Sequence, residues 1–159
     1  MSAPGWVSLD ELRRQPALGL LALDGQHWLL PQADIRSLEP LLDIDPTRRA
    51  PGSIGALAFA GAWWPVYGLS GELELLQELP GTRRVCLLLD NGADRFGLVC
   101  DRVETLAPPP RLFPVPPCMA DAASPLRALA LLAAGVGAVT DTECLAARLA
   151  ALVEHADDD

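Results

Sequence analysis

The sequence predicts an all-β barrel architecture with a few peripheral helices. Three observations lead there: short apolar runs, tight-turn residue pairs between them (Asp24-Gly25, Ala60-Gly61, Asn91-Gly92), and no alternating strand-helix-strand rhythm. Such pairs tolerate positive φ and join antiparallel strands in hairpins.

Taken in order, Ser8-Leu9-Asp10-Glu11 sets a hydroxyl three residues before a carboxylate, the capping-box spacing, so a short helix is expected until Pro16 stops it. Ala17–Leu23 and Gln26–Leu30 form the first expected hairpin. Residues 31–46 have no clean period, and 46–52 read as a loop. Ser53–Phe59 and Ala62–Leu69 give a second strand pair, rich in aromatic and β-branched residues. Gly71–Leu79 fits one or two helical turns, and Pro80-Gly81 marks a turn. Arg84–Leu89 and Arg95–Val103 flank Asp90-Asn91-Gly92-Ala93-Asp94 as a third hairpin. Six prolines between 108 and 117 exclude a helix there and leave a connection or an edge strand. Leu145, Leu149 and Leu152 lie at helical spacing behind Thr142, read as the cap.

Composition excludes several functions. Half of the 159 residues are hydrophobic, which suits a packed globule. Twelve arginines and no lysine stand against twenty-one acids, a net charge of -9, so no basic stripe is available for phosphates and nucleic-acid binding is not expected. Residues 1–15 carry four charges and no signal-peptide run, and the longest uncharged apolar run, 128–139, falls well short of the roughly 20 residues a membrane span needs. A cytoplasmic location without membrane insertion is the expectation. Cys86, Cys100, Cys118 and Cys144 are widely spaced and lack zinc-site spacing, and Asp90, Asp94 and Asp101 lack that of a calcium loop. His27 and His155 neighbour no nucleophile motif. Neither an enzyme nor a cofactor is expected.

The segment Gly55-Ala-Leu-Ala-Phe-Ala-Gly-Ala-Trp-Trp-Pro-Val-Tyr-Gly-Leu69 resembles the signature of the CheW chemotaxis coupling proteins, with landmarks at Gly55, Gly61, Pro65, Val66 and Leu69. Gly97-Leu-Val-Cys-Asp-Arg-Val103 is similar to that family's Gly-Leu-Val-Val-Asp-Arg-Val strand. Ile35 and Leu38 match an upstream element, and Asp141 a closing one. The resemblance implies two small five-stranded barrels side by side over 17–150, with a seam near 70–82. An N-terminal helix and extension would occupy 1–16, and a helix end with an acidic tail 151–159. It further implies an adaptor that binds a CheA-like histidine kinase and the cytoplasmic tips of chemoreceptors, in swimming or pilus-based motility.

Three charged family positions are uncharged here: the signature arginine is Ala60, the aspartate Gly68 and the upstream glutamate Ser37. Carried over by position, the protein-binding residues expected are Ser37, Ala60, Gly61, Trp63, Trp64 and Val66. Strand alternation sends Trp63 and Trp64 to opposite faces, so one belongs to a core, and the other either lies on an outer face as an anchor for a partner or is covered in turn by the termini or the second barrel. The lost charges support a second reading, a module repurposed for a different regulatory complex or self-associating as a homodimer.

Overall fold

In the computed structural model, which describes residues 8–119 and 124–157, twelve strands and two α-helices build two sheets packed on each other. One sheet contains β1 (Leu18–Leu23), β2 (Gln26–Pro31), β9 (Arg102–Leu106), β10 (Leu112–Phe113), β11 (Ala128–Leu132) and β12 (Gly135–Val139), in the order β10-β11-β12-β2-β1-β9. The other contains β3 (Ile35–Pro40), β4 (Ile44–Asp45), β5 (Gly55–Phe59), β6 (Ala62–Gly68), β7 (Val85–Asp90) and β8 (Arg95–Cys100), in the order β3-β7-β8-β6-β5-β4. We call these barrel A and barrel B. The three expected hairpins are β1–β2, β5–β6 and β7–β8, all antiparallel, while β12 with β2 and β6 with β8 pair in parallel.

The sheets have six strands each where five were expected. The extra member in each is a two-residue strand, β4 or β10, too short to leave a pattern in the sequence. The chain crosses between barrels at 31–35 and at 100–102, so β1 and β2 belong with the C-terminal strands. Residues 70–82, where a seam was expected, join β6 to β7 within barrel B. No helix forms there: Leu69 bridges Leu75, and Ser70 O accepts from Leu73 N. The expected N-terminal helix is α1 (Leu9–Arg13), capped by the Ser8 hydroxyl accepting from Glu11 N, and it plugs barrel A with the fully buried Leu12, while residues 1–7 lie outside the described residues.

Strand alternation divides the apolar residues among three cores. Leu12, Leu18, Leu29, Leu112, Ala128, Ala130 and Val139 fill barrel A; Leu57, Trp64, Val66, Cys86, Leu88 and Val99 fill barrel B. The odd residues of β1 and β7 (Leu21, Leu23, Leu87, Leu89) and the even residues of β8 (Phe96, Leu98, Cys100) form a third core between the barrels. Strands buried on both faces read as continuous apolar runs, which is why β1 and β7 show no alternation in sequence. Helix α2 (Thr142–Asp157) seals this third core with Leu145 and Leu149. Its cap is Asp141, whose Oδ1 accepts from Cys144 N at 2.7 Å; Thr142, read as the cap, instead donates its hydroxyl to Asp34 Oδ2 at 2.7 Å. Among the described residues no helix is long and apolar enough to cross a membrane.

Candidate protein-binding surface

The β5–β6 hairpin turns at Ala60 and Gly61, both at positive φ (51° and 79°), the geometry that twists two strands into register. From that turn the period of two takes over. Trp64 and Val66 point inward and are 3% and 0% exposed; the Trp64 indole N–H donates to Phe59 O at 3.2 Å, and its ring meets Phe59 edge-on at 5.7 Å. Trp63 points outward and is 47% exposed.

Trp63 is held in place. Asp45 Oδ1 accepts from both the backbone N–H and the hydroxyl of Thr47, at 2.9 and 2.6 Å, and these bonds hold its carboxyl below the usual range. The turn they build carries the Arg48 guanidinium to 3.9 Å from the centre of the Trp63 ring. A stacked guanidinium limits the ring's rotamers without covering its outer face, so less entropy is lost when a partner lands there. Two further arginines flank the hairpin: Arg36 lies 5.8 Å from the Phe59 ring and Arg95 5.8 Å from the Trp64 ring.

The expected site residues therefore separate. Ala60, Gly61 and Trp63 share the exposed hairpin end. Trp64 and Val66 do not join a contact surface, since alternation places them inside the barrel, where they brace the hairpin from below. Ser37 lies on β3, half-buried opposite Leu88, and donates its hydroxyl to Glu39 Oε1 at 2.7 Å. The sheet stays open between β3 and β4, but its curl brings the start of β3 to the hairpin, with Arg36 5.8 Å from the Phe59 ring. Arg36, Arg48 and Arg95 were not legible as site residues, because each reaches its ring across a loop or a sheet rather than along the chain.

Burial pushes the Cys86 and Cys144 thiols up to about 12, so both stay protonated at neutral pH. Asp90 Oδ1 accepts from Gly92 N at 2.8 Å, and Asn91 Oδ1 from Asp94 N at 2.7 Å, bonds that build a tight turn.

A family model described as the CheW-like domain matches residues 18–111, more than half of the chain and all of β1 to β9. The chain belongs to the CheW-like domain family. Its fold is similar to the crystal structure of the scaffolding protein TtCheW from Thermoanaerobacter tengcongensis, with a TM-score of 0.62 and 16% identity over 79% of this chain and 88% of that one. No curated protein sequence matches it. The structure shows what surrounds the three positions where the resemblance implies a charge, Gly68, Ser37 and Ala60. A Cβ at Gly68 would lie 2.8 Å from Leu79 Cδ2, the free end of a half-buried side chain, so a larger residue there requires Leu79 to turn aside. The carboxylate absent at Ser37 is present two residues on, at Glu39, bonded to Ser37 itself. Beside the hairpin that carries Ala60, Arg36 and Arg48 lie over Phe59 and Trp63.

Proposed function

We propose that this CheW-like chain is a non-enzymatic adaptor that couples chemoreceptor tips, or another input protein, to a CheA-like histidine kinase in swimming or pilus-based motility. The observation that carries this reading is Trp63: a large, exposed, guanidinium-braced aromatic on a strand whose alternate residues are core. Aromatic anchors of this kind dominate the energetics of protein interfaces. A second exposed apolar face supports a role that needs two contacts. On barrel A, Leu131 pairs with Val136 across the β11–β12 hairpin, and the two are 56% and 67% exposed. Binding one partner on each barrel raises their effective concentration and biases the kinase between its arrangements.

Titration calorimetry tests this with the regulatory domain of a chemotaxis-type kinase. Trp63→Ala is expected to weaken binding about 30-fold or more, a typical anchor loss, with unchanged thermal stability. Equal affinity of the two proteins would remove Trp63 from the interface.

The uncharged residues at Ser37, Ala60 and Gly68 favour a second reading, a CheW-like module moved to another regulatory complex. In that case neither kinase nor receptor fragments bind the unaltered chain, and Trp63→Ala loses a different partner.

A further inference from the structure

We propose that Arg83 is a positioning residue, a clasp that fixes the orientation of the two barrels and with it the relative placement of their exposed faces. The functional half of this statement rests on the adaptor reading above; the geometric half does not. Arg83 precedes β7, and its side chain is fully buried. Its Nη1 donates to Asp24 Oδ1 at 2.8 Å and to Asp101 Oδ1 at 2.7 Å, and its Nη2 to Leu69 O at 2.7 Å. Asp24 is the tip of the β1–β2 hairpin of barrel A, Leu69 follows β6 of barrel B, and Asp101 stands where the chain leaves β8 for β9. One guanidinium thus ties both barrels and the crossover between them.

The carboxylates are themselves held. Asp101 Oδ2 accepts from Asp24 N at 2.9 Å, Thr82 Oγ1 donates to Asp101 Oδ1 at 2.9 Å, and Gly71 N donates to Asp24 Oδ2 at 3.2 Å. The core beside this knot is apolar, and apolar contact is non-directional. Direction comes from the planar guanidinium fork, which meets its acceptors in one arrangement only and which lysine does not reproduce.

The test is an electron-electron distance measurement between spin labels on Ala62→Cys in barrel B and Val136→Cys in barrel A, in a Cys118→Ser background that leaves only buried thiols. Arg83→Lys keeps the charge and loses the fork; the triple variant Arg83→Met, Asp24→Asn, Asp101→Asn removes the knot without stranding a carboxylate. The parent is expected to give one narrow distance distribution, and both variants a shifted or broadened one, with the β5–β6 and β11–β12 amides still protected from hydrogen exchange. Distributions superimposable on the parent's in both variants would overturn the proposal. So would lost protection in either barrel, since Arg83 would then serve folding rather than orientation. No partner enters this experiment, so its failure and that of the adaptor reading are distinguishable.

Discussion

The end of the β5–β6 hairpin and the Arg83 knot use the same chemistry, arginine against an electron-rich partner, to opposite ends. At the hairpin the guanidinium of Arg48 rests on a ring that stays open to water, and its nearest carboxylate, Asp45, is itself exposed, 3.6 Å away. In the knot the guanidinium is out of water and meets two carboxylates and a carbonyl. An exposed ion pair contributes at most about 1 kcal/mol, whereas removing one partner of a fully buried pair costs roughly 3–5 kcal/mol by leaving a charge uncompensated. That figure is lowered in the knot, because Asp24 and Asp101 keep 37% and 18% of their side chains exposed. The hairpin is therefore built to be altered without unfolding, and the knot is not.

The largest expected effects lie on the buried side of this contrast. Trp64→Ala should cost about 3–5 kcal/mol in chemical denaturation, because it empties the centre of barrel B. Arg83→Met should cost less, about 1–3 kcal/mol, because the released Asp24 and Asp101 carboxylates, with 37% and 18% of their side chains in water, are partly solvated. A small loss from Arg83→Met would mean the knot is solvated and would erase the comparison.

Acid titration sharpens the same point. The hydrogen bond from Arg83 holds the Asp24 carboxyl below its usual range; at Asp101 burial opposes this, yet the bonds from Arg83, Asp24 N and Thr82 prevail. A depressed folded-state pKa contributes stability above the unfolded value, near 4, that is lost as pH falls through the lower folded one. Stability should fall below pH 4 in the parent and less steeply in the triple variant that lacks the knot.

Next in size, Gly68→Asp should destabilise by about 1–2 kcal/mol by placing a carboxylate at a buried position beside Leu79, whereas Ala60→Arg on the exposed turn should stay within about 0.5 kcal/mol. A well-tolerated aspartate would show that the 70–82 loop yields. Ala60→Gly should stabilise by about 1 kcal/mol, since a Cβ at positive φ is strained there. Trp63→Ala should move stability least of all while weakening binding most.

Much of this was legible in sequence, and the rest has definite reasons for being hidden. The three hairpins announce themselves through turn pairs, and the Trp63/Trp64 division follows from the period of a strand. The CheW-like resemblance identified the hairpin as the region to watch, but its carried-over residues mixed surface with interior, since Trp64 and Val66 match by position and not by exposure. The membership of β1 and β2 in the C-terminal barrel was hidden because β1, buried on both faces, carries no sign of which sheet it joins, and β2 follows it through the hairpin. Arg83 was hidden because its partners lie 59, 18 and 14 residues away, at separations no local pattern records.

The central claim, that Trp63 anchors a signalling partner, is tested most directly by retrieving partners from the protein's own cell lysate with tagged parent and Trp63→Ala chains side by side. The account predicts a histidine kinase or chemoreceptor on the parent, identified by mass spectrometry, and its loss from the variant while both chains remain folded. Equal retrieval by the two chains, or an unrelated regulator and neither of those partners on the parent, would contradict it.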